Sequence, residues 1–293
     1  MKVVITIPAL NEENTLPKVL TEIKQVMSHT RYNWTIQIVD DGSKDKTVQV
    51  AKKYGAVVVS HRRNKGLAEA FRTEVKNALK LGADIIVHTD ADGQYPAKHI
   101  PELIKKVEEG NDLVMGSRFI GQIEHMPFMK RFGNIAFSRV LSHFTKTKIT
   151  DSTTGFRAFT REVAEEINFI NTFTYTQEQI IKAAMKKFKI VEIPIYARKT
   201  RESRLFNSSL QYAWRAWINI FRIYRDYEPL RFFGRIGFSM FFTGFAVGLY
   251  ILYEIITTGA VSGIPRVILS ALLMLTGIQI VLFGFLADMW KGR

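Results

Sequence analysis

The sequence predicts an α/β domain built on a mostly parallel sheet, followed by two helices that cross a membrane. Short apolar or β-branched runs alternate with helix-like segments through roughly the first 200 residues, which is typical of repeated β-α-β units. Two long segments almost free of charge close the chain. The expected boundaries are 1–205 for the α/β domain, 206–232 for a juxtamembrane region and 233–293 for the membrane domain.

The α/β domain is predicted from the spacing of its apolar residues. Strands are expected at residues 3–7, 35–39, 56–60, 84–89, 112–115 and 190–196. Helices are expected at residues 15–26, 45–54, 67–81, 97–109 and 177–187. In a sheet of this kind ligands bind beyond the carboxyl ends of the strands, so functional residues are expected in the loops that follow them.

The membrane domain is predicted from two long apolar segments. Residues 236–256 contain one charge, Glu254, and residues 267–286 contain none. Each segment is long enough to cross a hydrocarbon core of about 30 Å. Two buried helices of a soluble core are the alternative, and the recurrent glycines favour membrane spans over it. Basic residues flank both outer ends, so we expect an integral protein of the cytoplasmic membrane with the α/β domain and both termini in the cytoplasm.

Residues 208–228 have the spacing of an amphipathic helix. Apolar and aromatic residues, among them Trp214 and Trp217, recur at intervals of three and four with arginines beside them. Such a helix either lies on the membrane surface or packs on the soluble domain, and the sequence leaves both alternatives open.

The composition restricts the chemistry and the partners. The 293 residues include no cysteine, which excludes a disulfide scaffold, a thiolate metal site and a cysteine nucleophile. The net charge of +14 indicates a nucleic acid, an anionic membrane or a phosphate-bearing substrate. Basic residues concentrate toward the membrane segments without a DNA- or RNA-binding motif, so we expect membrane lipids and no nucleic acid as partners. Met1-Lys2 leads directly into a strand, so no signal peptide is expected.

Acidic residues follow three of the predicted strands. The clusters are Asn11-Glu12-Glu13, Asp40-Asp41 and Asp90-Ala91-Asp92-Gly93-Gln94. A single Asp at a strand end is usually a turn or a helix cap, but three clusters at one edge of a sheet indicate a site. Two carboxylates two residues apart, with a side-chain amide after a glycine, are hard oxygen ligands that suit Mg²⁺ or Mn²⁺ bridging substrate phosphates.

Competing nucleotide and metal motifs are absent from the sequence. There is no G-x-G-x-x-G and no Walker A loop, so a dinucleotide enzyme or an ATPase is not supported. The six histidines form no metal-binding pair at helical spacing, so a zinc hydrolase is not supported either.

An ordered set of short motifs resembles the family 2 glycosyltransferases, and in particular their polyprenyl-phosphate branch. This branch includes dolichyl-phosphate mannosyltransferases and bacterial glucosyl relatives. The resemblance extends from residue 3 to about residue 228. Its motifs are Ile7-Pro8-Ala9-Leu10-Asn11-Glu12, Val39-Asp40-Asp41-Gly42-Ser43, Asn64-Lys65-Gly66, Asp90-Ala91-Asp92-Gly93-Gln94, Gly116-Ser117-Arg118, Thr154-Gly155-Phe156-Arg157 and Ser203-Arg204-Leu205.

The resemblance implies a GT-A fold that transfers a hexose from a nucleotide sugar, GDP-mannose or UDP-glucose, to a polyprenyl phosphate, dolichyl or undecaprenyl. It implies that Asp90 and Asp92 form the DxD pair of a metal-dependent, inverting enzyme, with Asp92 and Gln94 on Mg²⁺ or Mn²⁺. The nucleotide would be bound by Pro8, Leu10, Glu12, Asp41, Gly66, Asp90 and Ala91.

The resemblance also implies an acceptor side to the site. Asp151 is similar to an acidic position of the family that positions the acceptor. Together with Asp90 and Asp92, it is expected to act with Arg118 and Arg131 in catalysis. The acceptor phosphate would be bound by Arg118, Arg131, Arg198, Ser203 and Arg204.

The sequence departs from the family pattern at two places. The family often has Tyr where this chain has Leu10, which removes a ring contact to the nucleoside base. In the family signature R-x-x-G-x-S-K, Arg201 replaces the glycine and Arg204 the lysine, so the charge is kept but backbone freedom is reduced.

Two alternative functions remain, and the oligomeric state is open. A processive polysaccharide synthase would carry a Q-x-x-R-W motif and more spans, whereas this chain has Gln211 to Arg215 in the order Q-Y-A-W-R. A catalytically inactive, membrane-tethered scaffold would be favoured by loss of Asp90 or Asp92, and both are present. Glycines in the spans are compatible with a homo-oligomer.

Overall fold

A computed structural model describes residues 1–166, 175–199, 218, 221–222, 225–226, 228–260 and 263–291. The chain divides into two compact units, Met1–Ser209 and Leu210–Arg293. Most of the predicted amphipathic helix at 208–228 lies outside the described residues, and so do Ser203 and Arg204.

In the described part of the first unit, seven strands form one sheet in the order β3-β2-β1-β4-β6-β5-β7. Strands β1 to β4 are mutually parallel, β7 is parallel to β5, and β6 is antiparallel to both of its neighbours. The predicted mostly parallel sheet is confirmed. The strands are β1 (Lys2–Ala9), β2 (Asn33–Asp40), β3 (Val57–Ser60), β4 (Ile85–His88), β5 (Leu113–Ile123), β6 (Arg157–Thr160) and β7 (Ile190–Ala197).

Helices cover both faces of this sheet because its central strands are apolar on both sides. In β1, Val3, Ile5 and Ile7 pack with α1 and α4, whereas Val4 faces the cluster that contains Phe71 of α3. The helices are α1 (Leu16–Met27), α2 (Thr47–Lys53), α3 (Leu67–Lys80), α4 (Ile100–Glu108), α5 (Phe128–Thr145), α6 (Arg161–Glu166) and α7 (Tyr175–Met185), with a short 3₁₀ turn at Ala97–His99.

Two elements, β6 and α5, were not expected from the sequence pattern, and neither was the short helix α6. Strand β6 has four residues and begins with the buried Arg157, so it shows no apolar alternation. Helix α5 exposes Phe128 and Phe132 and buries Asn134, so its apolar spacing does not mark the buried face. The tertiary environment, rather than local pattern, decides both elements.

The second unit contains two long apolar helices, α8 (Pro229–Thr258) and α9 (Ile264–Lys291). They include the predicted segments 236–256 and 267–286, and by length and composition both are candidate membrane spans. Mean hydropathy over an 18-residue window reaches 1.7 in α8 and 2.3 in α9.

Glycines allow α8 and α9 to approach each other closely. A Cβ atom at Gly237 would lie 2.5 Å from the carbonyl oxygen of Gly277, and one at Gly277 would lie 2.6 Å from that of Gly237. Farther along the hairpin, the Ser270 hydroxyl donates to the carbonyl of Gly244 at 2.7 Å. These glycines serve contacts within one hairpin, so they do not support the predicted self-association, which stays a prediction.

Replacing Gly237 by alanine is expected to destabilise the hairpin. The added methyl group meets the Gly277 carbonyl and a Val281 methyl at 2.7 Å, and overpacking of this kind costs about 1–3 kcal/mol. Gly234→Ala on the same helix is the matched control, because no atom outside its own stretch of helix lies within 4 Å of its added Cβ. The measurement is thermal unfolding of the full chain in detergent by circular dichroism. Equal midpoints for the two variants would contradict the close approach of α8 and α9.

Candidate active site at the carboxyl edge of the sheet

The loops after β1 and β2 are joined by side-chain to backbone hydrogen bonds. Asn11 has a left-handed φ of 55°. Its backbone N–H donates to the Ser43 hydroxyl at 2.9 Å, and its side-chain oxygen accepts from the Lys44 N–H at 2.8 Å. The Glu12 N–H donates to the hydroxyl of Thr47 at 2.8 Å. The two loops therefore form one continuous rim beyond the strands.

Asp41 organises the third loop of this rim. Its carboxylate accepts the N–H groups of Lys65 and Gly66 at 2.9 and 2.8 Å, and His61 Nδ1 lies 2.7 Å from the same carboxylate. Gly66 adopts a φ of 91° just before α3. Asp41 and Gly66, both predicted nucleotide-binding residues, are thus brought together by direct contact.

The remaining predicted nucleotide-binding residues of the first loop lie at the neighbouring strand end. Pro8 belongs to β1 in register with Val39 of β2, and Leu10 follows the strand with its side chain partly exposed. Glu12 is buried, and its carboxylate accepts the Thr15 hydroxyl at 2.7 Å at the start of α1. Their role toward a nucleotide stays a prediction.

The Asp90-Ala91-Asp92 turn follows β4, next to β1 in the sheet. The Gln94 N–H donates to Asp92 Oδ1 at 2.9 Å, which closes the turn over Gly93 with its φ of 73°. A Cβ at Gly155 would lie 3.1 Å from Asp90 Oδ2, so glycine makes room for this carboxylate. Gly155 belongs to the Thr154-Gly155-Phe156-Arg157 motif, but its contact with Asp90 is seen only in the structure.

The chemistry of this turn fits a divalent cation. Burial, followed by the negative charge of Asp92, raises the pKa of Asp90 to about 6. Two carboxylates that oppose each other's ionisation are stabilised by a cation between or beside them. Among the described residues no three His, Asp or Glu side chains form a complete metal cage. Two carboxylates and an amide oxygen instead match a Mg²⁺ or Mn²⁺ site completed by substrate phosphates.

A buried ion pair lies on the other side of the same edge. Arg118, in β5, donates from Nε and Nη2 to the two oxygens of Asp151 at 2.6 and 2.8 Å. Burial alone would raise the pKa of Asp151, but the hydrogen bonds and charge of Arg118 outweigh it and lower the pKa. Two predicted catalytic residues are therefore in contact, with the arginine oriented by the carboxylate.

The loop that carries Asp151 is fixed by residues that the sequence analysis did not single out. Glu192 of β7 accepts the N–H groups of Thr150 and Asp151 at 2.9 Å each, and burial raises the pKa of Glu192. Asn134 of α5 donates to Asp151 Oδ1 at 3.2 Å. In the sequence, the only features that could have indicated these positions are the charge of Glu192 within an apolar strand and the amide of Asn134 within a helix that was not predicted.

The other predicted acceptor-binding arginines have different surroundings. Arg198 forms a two-point ion pair with Glu22 of α1 at 2.9 Å, and its N–H donates to the Gln94 carbonyl at 2.9 Å. It therefore joins the end of β7 to the Asp90–Gln94 turn. Arg131, near the start of α5, is exposed. Acceptor binding by these residues stays a prediction.

A second buried polar group lies behind Asp90 and was also missed. His88 is the last residue of β4, and its Nδ1 lies 2.7 Å from the Glu74 carboxylate of α3. Its Nε2 lies 3.2 Å from the Tyr175 hydroxyl and 3.9 Å from Asp90 Oδ1. Burial raises the pKa of Glu74. This group supports the strand end from which the Asp90–Gln94 turn starts.

Comparison with known families finds two matches. Residues 4–168 match glycosyl transferase family 2, and residues 228–289 match the GtrB C-terminal hairpin. The first match covers most of the sheet and its carboxyl edge, and the second covers most of α8 and α9.

Individual relatives agree with these matches. The dolichyl-phosphate hexose transferase of Haloferax volcanii is 32% identical over 196 residues, covering 67% of this chain and 82% of that protein. The prophage bactoprenol glucosyl transferase homolog of Escherichia coli K12 is 27% identical over 296 residues, covering 98% and 93%. The structure of glucosyl-3-phosphoglycerate synthase from Mycobacterium tuberculosis superposes with a TM-score of 0.60 at 20% identity over 76% of this chain and 78% of that one. This likeness supports the GT-A fold.

Replacing Asp151 by asparagine is expected to destabilise the first unit by about 3–5 kcal/mol, because Arg118 is left buried without its counter-charge. The folded-state pKa of Asp151 is lowered, so its contribution is complete above the unfolded pKa of about 4 and is lost only as pH falls below that value. The difference should therefore be constant between about pH 5 and 8.

The measurement for this variant is thermal unfolding of the full chain across that pH range. Glu165→Gln is the control, because it removes an ion pair with Arg161 in which both side chains are about half exposed and which contributes about 0–1 kcal/mol. Equal losses for the two variants would refute a structural role for the Arg118–Asp151 pair.

Proposed function

Because the chain belongs to glycosyl transferase family 2, we propose that it transfers a hexose from a nucleotide sugar to a membrane polyprenyl phosphate. The observation that carries this proposal is the combination, in one chain, of a family 2 site with a GtrB-type hairpin. Relatives named for dolichyl phosphate and for bactoprenol support a polyprenyl-phosphate acceptor. Donors consistent with these relatives are UDP-glucose and GDP-mannose.

In the proposed reaction a phosphate oxygen of the lipid attacks C1 of the sugar. The new C1–O bond forms as the bond from C1 to the donor diphosphate breaks, so a nucleoside diphosphate leaves and an in-line attack inverts C1. The attacking oxygen is already ionised at pH 7, so no strong general base is required. The main task of the protein is to bring two anions together and hold them in line.

The Asp90–Gln94 turn is the proposed site of the divalent cation, with Asp92 and Gln94 as its ligands. Mg²⁺ or Mn²⁺ bound there would neutralise charge on the departing diphosphate. The Mycobacterium tuberculosis structure contains Mn²⁺ with UDP-glucose, which supports this assignment. On the donor side, Pro8, Leu10, Glu12, Asp41, Gly66, Asp90 and Ala91 are proposed to hold the nucleotide.

On the acceptor side, arginines are proposed to bind the lipid phosphate. Arg118 contacts Asp151 through Nε and Nη2, and Nη1 takes no part in that pair. Asp151 can therefore orient Arg118 while Nη1 donates to a phosphate. Arg131 is exposed, so its guanidinium is accessible to a phosphate. Arg198, Ser203 and Arg204 complete the proposed acceptor set.

We further propose that α8 and α9 cross the cytoplasmic membrane and leave both termini and the first unit in the cytoplasm. Arginines such as Arg231 and Arg235 near the start of α8, and Lys291 at the end of α9, satisfy the positive-inside rule for this orientation. Such anchoring would keep the first unit at the membrane that contains the acceptor, whose isoprenoid tail remains in the bilayer.

The proposed reaction is tested by sugar transfer to lipid. Purified protein in detergent receives labelled UDP-glucose or GDP-mannose with Mg²⁺ or Mn²⁺ and a polyprenyl phosphate, and label is counted in the organic phase. We expect label from one donor, its loss with EDTA, and inversion at C1 by NMR of the product. Products longer than one sugar would favour a processive synthase. Absence of both transfer and nucleotide-sugar binding would favour an inactive scaffold.

The metal assignment has its own variant. Asp92→Ala is expected to lower kcat at least about 100-fold, because a bound cation contributes several kcal/mol of transition-state stabilisation. Glu165→Gln, a surface carboxylate change away from the turn, is expected to retain activity. Full activity of Asp92→Ala with Mg²⁺ or Mn²⁺ would show that Asp92 is not a ligand of the cation.

Arg131→Ala is expected to raise the KM for the lipid phosphate about 10-fold or more while the donor KM stays within about twofold, because a charge-assisted phosphate contact is lost. The control is Arg31→Ala. The Arg31 side chain is 80% exposed, and this residue lies just before the first residue of β2, at the end of the strand opposite to the candidate site. Both KM values are measured with the other substrate saturating. An unchanged acceptor KM would contradict the role of Arg131.

A further inference from the structure

His88 is a buried polar residue at the end of a strand that is otherwise apolar. It is the last residue of β4, between β1 and β6 in the sheet, and its side chain is 0% exposed. Both ring nitrogens have partners, because Nδ1 lies 2.7 Å from a Glu74 carboxylate oxygen and Nε2 lies 3.2 Å from the Tyr175 hydroxyl. The nucleotide and metal roles proposed above use none of these side chains.

The imidazole of His88 is held in one orientation by its neighbours. Phe71 meets the ring edge-on at a centroid distance of 5.1 Å, and Tyr175 does so at 5.7 Å. The contact with Glu74 fixes which ring nitrogen faces α3. The other nitrogen, Nε2, is therefore directed toward the start of the Asp90–Gln94 turn.

Stability alone does not account for the pair of Glu74 and His88. Glu74 is also 0% exposed, its burial raises its pKa, and the other buried residues of α3 are apolar. Burying such a pair costs several kcal/mol, and apolar residues of similar volume are often at least as stabilising. A polar pair at this place therefore indicates a role outside the core.

That role is indicated by the third group that Nε2 of His88 faces. Nε2 lies 3.9 Å from Asp90 Oδ1, and among the described residues His88 is the one basic side chain in ion-pair range of Asp90. The same carboxylate also meets Gly155, where an added Cβ would lie 3.1 and 3.2 Å from its two oxygens. The Asp90 carboxylate is thus confined by an imidazole and by a residue without a side chain.

Arg157 does not take this role, although it is adjacent to His88. It is opposite His88 in the register of β4 and β6 and is fully buried. Its Nη1 donates to the Thr176 carbonyl at 3.1 Å and to the Gln179 side-chain oxygen at 2.9 Å. These bonds turn the guanidinium toward α7, so the contact with Asp90 is made by the imidazole.

We propose that His88, oriented by Glu74, is a positioning residue that holds the Asp90 carboxylate in the orientation in which it binds the donor nucleotide beside the cation. The proposal rests on the proposed function, which assigns the nucleotide and the cation to the Asp90–Gln94 turn. A carboxylate that is held in place before the nucleotide arrives loses less conformational freedom on binding, so preorganisation increases affinity. Loss of the imidazole should therefore weaken the donor more than the acceptor.

Two substitutions at His88 separate this positioning role from support of the fold. Asparagine places its amide near the position of Nδ1 and can keep the Glu74 contact, whereas glutamine reaches the position of Nε2 and can keep a donor toward Asp90. With Mn²⁺ present, His88→Asn is expected to raise the Kd of UDP or GDP about 10-fold, as expected when a group that orients a metal-site residue is lost. His88→Gln is expected to remain within about threefold of the parent chain, because the group that faces Asp90 is kept.

The Kd values are measured by isothermal titration calorimetry on the full chain in detergent, beside thermal unfolding of each variant. Gln37→Met is the matched control for loss of a buried polar group. Gln37 donates to the Glu74 carbonyl at 3.0 Å and to the Thr6 hydroxyl at 3.1 Å, neither of which belongs to the Asp90–Gln94 turn. This variant is expected to lower the unfolding midpoint and to leave the Kd unchanged. Tyr175→Phe, which keeps the ring and removes the hydroxyl, is also expected to leave the Kd unchanged.

Glu74→Ala is the second test, for the case that a substitution at the buried His88 prevents folding. It leaves the imidazole in place without the carboxylate that orients it, so the Kd is expected to rise about 10-fold as in His88→Asn. A Kd equal to that of Gln37→Met would overturn the proposal.

The transfer assay provides a further readout that a purely structural role would not produce. His88→Asn is expected to raise the donor KM about 10-fold while the acceptor KM stays within about twofold. A residue that only supports β4 would change both KM values or neither.

Three outcomes would overturn the inference. Equal Kd values for His88→Asn and His88→Gln, or a higher value for His88→Gln, would show that the contact with Glu74 matters and the contact with Asp90 does not. An unchanged Kd in His88→Asn, with normal binding by the parent chain, would overturn the positioning role and leave the proposed function intact. Failure of the parent chain to bind either UDP or GDP with Mn²⁺ would overturn the proposed function and this inference together.

Discussion

The carboxyl edge of the sheet depends on the buried pair of Arg118 and Asp151. A buried ion pair is stable only if further hydrogen bonds satisfy the polar atoms that the two side chains do not use in contacting each other. Asn134 from α5 donates to Asp151, and Glu192 from β7 accepts the backbone N–H groups of the same loop. Strand β5, helix α5, strand β7 and the loop before β6 are therefore held in one arrangement by one ion pair and its neighbours.

This arrangement separates negative from positive groups across a short stretch of the edge. On one side, burial and then the negative charge of Asp92 raise the pKa of Asp90 to about 6, so a cation beside the two carboxylates would be stabilising. On the other, Arg118 is held in place by a carboxylate whose pKa is lowered. Arg198, just after β7, joins the Asp90–Gln94 turn to α1 through the Gln94 carbonyl and Glu22. A site that must hold a diphosphate and a second phosphate needs this division of charge.

Small and aromatic residues are used differently in the C-terminal hairpin and in α5. In the hairpin, Gly237 and Gly277 allow backbone contact and leave the larger apolar side chains on the outside. In α5, Phe128 and Phe132 are exposed, whereas Asn134 and Ser138 bond to the loop that contains Asp151.

The local sequence pattern was sufficient to predict the elements that depend mainly on residues close to them in sequence. The buried strands, the two apolar segments and the Asp90–Gln94 turn were predictable because each depends on neighbours within a few residues in sequence. Only the tertiary structure decided that β6 is inserted antiparallel between β4 and β5 and that α5 forms at all. It also decided the partners of the arginines, since Arg118 meets an aspartate 33 residues away and Arg198 a glutamate 176 residues away. The sequence shows that a buried arginine needs a counter-charge. It does not show which carboxylate supplies it, because the fold determines which side chains lie within reach.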